Sequence, residues 1–311
     1  AGEVKAGTAY TVVSYNMGFG AYESDYSFFM DGGTESWAWS KERLDTNLKN
    51  IAELLKEQNA DFYFVEEVDT DATRSYHRNE ADLLRGALTG YSSVWGQNYD
   101  SPFLFWPLTQ PHGASESGLM TFSSAPIASS LRRSLPIETG VMKLVDLDRC
   151  YTVSRVPMEN GKELVLYAVH LSAYTSDGVI ANEQAEMLLS DMQSEYEKGN
   201  YCICGGDFNK DLLGNSEEVF GISAGDYTWA QPLPEELFRG KNITLVPPLD
   251  PENPVPSCRN ADAPYHEGQY VVTVDGFLVS DNVTVNSATV IDTGFAYSDH
   301  NPVTMTFTLQ P

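Results

Sequence analysis

The stretch from Tyr201 to Asn209 reads YCICGGDFN, a short apolar run that ends in two glycines, an aspartate and an asparagine. Other apolar runs end, or are interrupted, in a similar way. Their polar residues are Asn16, the Glu66-Glu67 pair, His170, Asp275 and the Asp299-His300 pair. Acids, amides and histidines clustered at strand ends are typical of a sheet that displays functional side chains from a rigid scaffold. The sequence therefore predicts a site built from the ends of several strands.

Strand-like runs recur along the whole chain, rich in Val, Tyr, Phe and Thr and bounded by Gly, Asn, Asp or Pro. They cover residues 10–15, 62–65, 92–96, 118–122, 151–156, 164–171, 201–204, 270–279, 283–291 and 303–309. Apolar periodicity predicts helices over 41–58, 80–88 and 182–198. The proline-rich stretch 232–264 predicts a long irregular segment. We expect a single domain, residues 1–311, of packed sheets with helices outside.

The charge of the chain limits its partners. Its 311 residues include 44 acidic and 19 basic side chains, which give a formal net charge of −25. This charge argues against a general nucleic-acid binder that works through a basic stripe, and against docking on an anionic membrane. No apolar run approaches the roughly 18 residues of a transmembrane helix. The sequence indicates no particular protein partner.

The sequence begins with Ala1 rather than Met, which a removed leader or a trimmed N-terminus would explain. We expect a secreted or extracytoplasmic protein, with a cytoplasmic location as the alternative. Four cysteines are too few for a disulfide scaffold, but Cys150 and Cys258 could pair in an exported chain.

The order and spacing of the polar clusters resemble the endonuclease/exonuclease/phosphatase superfamily. That superfamily includes pancreatic-type deoxyribonucleases, abasic-site endonucleases, neutral sphingomyelinases and inositol-polyphosphate phosphatases. The resemblance extends over residues 10–309 and includes the motifs Gly206-Asp207-Phe208-Asn209 and Ser298-Asp299-His300-Asn301-Pro302-Val303. It implies an α+β fold, a four-layer α/β/β/α sandwich of two mixed β-sheets with helices on the outer faces. Ala168 stands where relatives often carry Asn, which puts in doubt a hydrogen bond of that Asn but not His170.

A metal site is predicted from the acidic and amide side chains. Hydrolysis of a phosphate ester needs a positioned water and neutralised phosphoryl charge, and hard carboxylate oxygens hold Mg²⁺ for this purpose. We expect Glu67 to be the main ligand, with Asn16 beside it and Asp299 on the same ion, and Mn²⁺ as a substitute for Mg²⁺. Glu66, where relatives usually carry Gln, should point to the opposite face of its strand.

The catalytic residues are expected to include two histidines. His300 resembles the histidine of an aspartate–histidine pair, with Asp275 as its partner, and such a carboxylate fixes the tautomer and raises the histidine pKa. His170 would donate to a non-bridging phosphoryl oxygen. Asp207 and Asn209 would reach the attacking water or the leaving group. Which residue is base and which is acid stays open at this point.

Two further residues are candidates for substrate binding. Arg74 follows the Glu67 strand and could grip a phosphate with its guanidinium, or form a structural ion pair instead. His112 lies in the loop-like stretch 99–118 with Phe103, Phe105 and Trp106. These aromatic residues could pack in the core under a loop, or form an apolar wall for the substrate with His112 near its phosphate.

The predicted function is a divalent-metal-dependent phosphodiesterase that acts on a small or lipid-type phosphodiester. The densest basic cluster is Arg132-Arg133, which is too small for duplex recognition. A metal-dependent deoxyribonuclease is the alternative, because acidic nucleases exist in the superfamily and metal ions offset the repulsion. A catalytically inert binding module on the same fold is the alternative from another class, and the presence of every expected site residue disfavours it.

Overall fold

The computed structural model describes residues 2–137, 148–173 and 179–311. The strands are β1 (Ala9–Asn16), β2 (Phe62–Ala72), β3 (Ser92–Leu104), β4 (Gly113–Ser123), β5 (Ser129–Ser134), β6 (Cys150–Pro157), β7 (Glu163–His170), β8 (Tyr201–Asp207), β9 (Ile243–Val246), β10 (Cys258–Arg259), β11 (Val271–Val272), β12 (Asp275–Ser280), β13 (Val283–Val290) and β14 (Val303–Leu309). The α-helices are α1 (Lys41–Gln58), α2 (Glu80–Ala87), α3 (Val179–Glu197) and α4 (Ser216–Phe220).

Two mixed six-stranded sheets form the centre of the structure. The first has the order β13-β14-β1-β2-β4-β3 and the second the order β5-β6-β7-β8-β12-β9. Each contains one parallel pair, β1 with β2 and β7 with β8, among antiparallel neighbours. The short strands β10 and β11 pair with each other.

Three apolar layers hold the sheets and helices together. Phe62 and Phe64 of the first sheet belong to a buried cluster with Ile203 and Phe277 of the second, so this layer lies between the sheets. Leu48 of α1 belongs to a cluster with residues of the first sheet, and α3 packs in the same way on the second. The predicted four-layer α/β/β/α sandwich is therefore confirmed.

The helix predictions agree closely with the structure. Helix α1 occupies the predicted residues; the Ser40 side chain accepts a hydrogen bond from the Arg43 N–H at its start, and Asn59 ends it in a left-handed conformation. Helix α2 ends one residue earlier than predicted, and α3 is described from Val179 to Glu197. None of the helices among the described residues is long and apolar enough to cross a membrane.

One prediction about irregular segments is wrong, and a second holds over most of its range. The stretch 99–118 is mostly the hairpin of β3 and β4, which pair as far as Leu104 and Gly113. Phe103, Phe105 and Trp106 are exposed at its tip, so they do not pack in the core. The stretch 232–264 is irregular over most of its length, as predicted, but it contains the short strands β9 and β10. Strand β9 extends the second sheet beyond β12.

The cysteines do not form the disulfide that the sequence allowed. All four are free and buried. Cys150 lies at the start of β6 and Cys258 at the start of β10.

Gly206 of β8 lies where no side chain fits. A Cβ atom there would be 1.8 Å from the carbonyl oxygen of Val169, on the neighbouring strand β7. We expect Gly206→Ala to lower the free energy of unfolding by about 3 kcal/mol or more, because this backbone cannot move without disrupting the β7–β8 ladder. Urea unfolding followed by circular dichroism measures the change.

Gly86→Ala is the matched control, because its Cβ would meet no atom within 4 Å. Gly86 lies in α2, where alanine should stabilise by about 0.5–1 kcal/mol. A Gly206→Ala protein as stable as wild type would contradict the steric argument.

Candidate active site

The ends of both parallel strand pairs meet at one edge of the sandwich. Asn16 and Glu67 lie at the ends of the pairing between β1 and β2, and His170 pairs with Asp207 at the ends of β7 and β8. The two sheets are joined here by a hydrogen bond of 3.0 Å from Asn16 Nδ2 to Asp207 Oδ2. The sequence prediction of a site made from strand ends therefore agrees with this geometry.

Asp207 is the centre of this arrangement. Its Oδ2 atom lies 3.3 Å from His170 Nε2 and 3.5 Å from His300 Nε2. Its Oδ1 atom accepts a hydrogen bond of 2.9 Å from the backbone N–H of Asn209. Burial by itself raises the pKa of Asp207, but the two histidines and the backbone donor outweigh burial and lower this pKa below its usual range. Asp207 is therefore ionised at neutral pH.

His300 and Asp275 form a buried pair. His300 Nδ1 donates to Asp275 Oδ2 over 2.7 Å, and Ser257 Oγ donates to the same oxygen over 2.7 Å. Burial lowers the pKa of His300, but Asp275 and the other anionic groups around the ring outweigh burial and raise this pKa well above 6.5. The opposite ring nitrogen, Nε2, faces Asp207 and lies 3.7 Å from Cys258 Sγ. His300 is thus a positively charged group oriented by a buried carboxylate.

Glu67 and Asp299 line one cavity of about 300 Å³ together with both histidines. Glu67 lies in an irregular part of β2 between Val65 and Val68, with a positive φ of 53°. A positive φ is strained for a residue other than glycine, and such strain is typical of functional sites. Glu66, in contrast, is buried and accepts a hydrogen bond from Ser14 Oγ.

The carboxylates of Glu67 and Asp299 are suited to binding a divalent cation. Burial first, and then repulsion from Glu67 and Asp207, raises the pKa of Asp299. Among the described residues, no Lys or Arg forms a salt bridge with Glu67 or Asp299. Two carboxylates on one cavity wall offer oxygen ligands and a repulsion that a cation would relieve.

A second group of possible metal ligands consists of buried residues. One ligand atom each from Asp207, Asp275 and His300 lie within 4.8 Å of one another, close enough to bind a metal ion. His300 Nδ1 already donates to Asp275, however, and an ion held by that nitrogen would replace the hydrogen bond. The hydrogen bonds therefore favour proton transfer, rather than metal binding, as the role of these three residues.

The two asparagines are arranged as positioning residues. The Asn16 Oδ1 atom accepts from the backbone N–H of Gly18 at 3.0 Å, while its Nδ2 group donates to Asp207. A role as metal ligand needs this oxygen, so that role stays a prediction. Asn209 Nδ2 donates to the carbonyl oxygen of Leu171 over 2.6 Å, which links the residues that follow β7 and β8.

Arg74 and His112 are both buried, and their role in substrate binding stays a prediction. Arg74 Nε and Nη2 donate to Asp69 over 3.0 and 2.8 Å, and its guanidinium lies 3.9 Å from the centre of the Phe19 ring. This is the ion pair that the sequence offered as the alternative. Burial, followed by the charge of Arg74, lowers the pKa of His112 to about 4, so His112 brings no positive charge to a phosphate. Both residues line a smaller cavity beside the site.

Sequence reasoning missed several residues that line the site. Arg149 borders both cavities, and its Nη1 donates to the carbonyl oxygen of His170 at 3.4 Å. Its position directly before β6 was a usable signal, because an antiparallel strand begins where its neighbour β7 ends. Tyr227 and Trp229 line the larger cavity from a segment with no periodic pattern, so no sequence signal indicated them.

The sequence matches the model of the Endonuclease/Exonuclease/phosphatase family over residues 13–300. The chain therefore belongs to this family, as its resemblance predicted. Members of the family are hydrolytic phosphoesterases that use divalent metal ions. Among curated proteins, none matches this sequence.

Solved structures share the fold over nearly the whole chain. The human Nocturnin catalytic domain with bound sulfate anion is 19% identical, with 97% of this chain and 95% of that chain covered and a TM-score of 0.60. ANGEL2, a 2',3'-cyclic phosphatase in complex with adenosine-2',3'-vanadate, is 16% identical, with 97% and 96% covered and a TM-score of 0.65. D. rerio TDP2 complexed with single strand DNA product is 16% identical, with 97% and 99% covered and a TM-score of 0.60. At these identities the likeness shows the fold alone.

Proposed function

We propose that the protein is a Mg²⁺-dependent phosphodiesterase that acts on a small or lipid-type phosphodiester, with Mn²⁺ as a substitute ion. The observation that carries this proposal is the position of Asp207. It is held ionised between two histidines, one of which is backed by the buried Asp275. The same cavity is lined by Glu67 and Asp299, which would hold the ion.

The proposed roles follow from charge and geometry. Ionised Asp207 takes a proton from the water that attacks phosphorus, and His300 supplies a proton to the leaving oxygen as its bond to phosphorus breaks. His170, which lies 3.3 Å from Asp207, donates to a non-bridging phosphoryl oxygen. Mg²⁺, when bound, would neutralise negative charge on the phosphoryl group.

The arginines that line the two cavities favour a substrate with a single phosphate. Arg74 is paired with Asp69. Arg259 is fully buried and donates to the carbonyl oxygens of Glu23, Tyr26, Asn260 and Ala263. Arg149, the third arginine that lines these cavities, donates to the carbonyl oxygen of His170. These guanidinium groups are therefore engaged in the protein itself, and a polyphosphate or a duplex needs several basic contacts. A phosphodiester carries a single charge, which suits a chain of net charge −25.

A comparison of two chromogenic esters tests the proposal. Release of p-nitrophenol is measured from bis(p-nitrophenyl) phosphate and from p-nitrophenyl phosphate, each with Mg²⁺, with excess chelator, and after Mg²⁺ is restored. We expect Mg²⁺-dependent release that is faster from the diester. Preference for the monoester would indicate a phosphatase, release in excess chelator would overturn the metal assignment, and no release from either would favour an inert binding module.

A deoxyribonuclease is the second candidate, because TDP2, which shares the fold, was solved with a single strand DNA product. We expect duplex DNA to be a poor substrate, since a net charge of −25 repels a polyanion at the short range over which charges act in salt. Moderate NaCl should raise any nicking of plasmid DNA, because salt screens this repulsion. Efficient nicking at low salt that falls steeply with NaCl would place the nuclease first.

A further inference from the structure

Four large apolar side chains are exposed together at the tip of the β3–β4 hairpin. The exposed fractions of Phe103, Phe105, Trp106 and Leu108 are 47%, 72%, 64% and 77%. We call these four residues the apolar tip. Other exposed large apolar residues in the described part of the chain are single positions such as Trp39, Leu131 and Tyr265, each exposed by less than half. Scattered residues of that kind are normal, whereas a cluster at a protruding point indicates contact with something apolar.

The tip projects beyond the first sheet. Strand β3 is an edge strand, and the pairing of β4 with its inner neighbour β2 ends at Ser115. Phe103 is the second-last residue of β3, and Phe105, Trp106 and Leu108 follow the last β3–β4 pair, Leu104 with Gly113. The Phe103 and Phe105 rings contact each other edge to face, with centroids 4.9 Å apart. Three of the four residues of the apolar tip therefore lie in the turn that joins β3 and β4, at the end of the hairpin.

The tip is also uncharged, in a chain that is strongly acidic. Residues 101–111 read SPFLFWPLTQP and include no acidic or basic side chain. Without Lys or Arg, it offers nothing that would attract an anionic surface. Aromatic residues such as Trp are enriched at the boundary between lipid headgroups and acyl chains, and shallow insertion there needs no specific polar partner. These features favour an electrically neutral lipid surface as the occupant.

The base of the same hairpin borders the candidate active site. Asn98 and Tyr99 of β3 and Ser117 and Gly118 of β4 line the smaller cavity, which Glu67 and His170 also line. A surface that binds the apolar tip would therefore lie close to the proposed catalytic groups.

We propose that the apolar tip inserts into the headgroup region of a zwitterionic phospholipid bilayer and so places the active-site cavity near lipid phosphodiesters. The insertion depends only on the tip. The delivery of lipid phosphodiesters to the site rests on the proposed function above.

Vesicle binding tests the insertion without any need for turnover. The wild-type protein is sedimented with phosphatidylcholine vesicles in excess chelator, and again with vesicles that also contain phosphatidylserine. We expect binding to phosphatidylcholine and weaker binding when the anionic lipid is present. The double variant Phe105→Ser, Leu108→Ser should bind phosphatidylcholine at least about tenfold more weakly, because two exposed apolar anchors are lost. Leu131→Ser, on β5 of the other sheet, is the matched control and should bind like wild type.

Hydrolysis assays separate this proposal from the proposed function. The double variant should hydrolyse bis(p-nitrophenyl) phosphate at the wild-type rate but lose activity on a phosphodiester embedded in vesicles. Binding to vesicles by a protein that hydrolyses no ester would leave the insertion standing and remove the proposed function. Equal vesicle binding by wild type and double variant, or no binding by wild type, would overturn the insertion. So would a dimer in sedimentation velocity that the double variant abolishes, because the tip would then contact a second copy.

Discussion

Asp207→Asn is expected to lower kcat for bis(p-nitrophenyl) phosphate by about a thousandfold, within the range that general acid–base catalysis contributes. The amide keeps the shape of the side chain but cannot accept a proton from the attacking water. It also removes the negative charge that lies 3.3 and 3.5 Å from the two histidine rings. Steady-state kinetics with saturating Mg²⁺ measures the change, which we expect in kcat rather than in KM.

Asp71→Asn is the matched control, because Asp71 is exposed and forms its ion pair with His77 outside the two site cavities. Its kcat should stay near wild type. Thermal unfolding of both variants checks that the fold is intact. A folded Asp207→Asn protein with nearly wild-type kcat would remove Asp207 from the proposed proton transfer.

Glu67→Gln and His300→Ala should separate metal binding from turnover. Glu67 lines the larger cavity and holds the ion in the proposed function, so its loss should weaken Mg²⁺ binding by about tenfold or more. His300 is hydrogen-bonded to Asp275 and, in the proposed function, protonates the leaving oxygen, so His300→Ala should retain Mg²⁺ affinity and still lower kcat by about a hundredfold or more. Isothermal titration calorimetry with Mg²⁺ measures the affinity of both variants.

Equal loss of Mg²⁺ affinity in the two variants would mean that the roles are wrongly assigned. Such a result would instead favour an ion bound at the deeper group of Asp207, Asp275 and His300. Asp71→Asn again serves as the control, since it removes a carboxylate four residues after Glu67 on the same strand.

The sequence predicted which residues lie at this edge of the sandwich, because strand ends can be recognised locally. An apolar run that stops at His170 or at Asp207 marks a sheet edge without knowledge of the tertiary structure. The parallel pairing then brings such residues together. Helix α1 was equally predictable, because its apolar spacing and the Ser40 cap both lie within the segment itself.

Details that depend on tertiary contacts could not be predicted from the sequence. The left-handed turn at Glu67 comes from an irregularity in the pairing of β2 with β4, and neither strand alone indicates it. Arg74 could have faced a phosphate or a carboxylate, and only the fold places Asp69 against it. The exposure of Phe105 could not be predicted either, because an aromatic residue looks the same in a core and at a hairpin tip.

The position of β14 in the first sheet determines when the candidate site can form during synthesis of the chain. This strand lies between β13 and β1, and Asp299 and His300 come just before it in the chain. Asn16 and Glu67 are synthesised early, but the candidate site is incomplete until Asp299, His300 and β14 have also been synthesised. Even if earlier segments begin to fold during translation, a nascent chain carries no complete site until β14 has left the ribosome. Formation of the candidate site is thus coupled to the synthesis of β14.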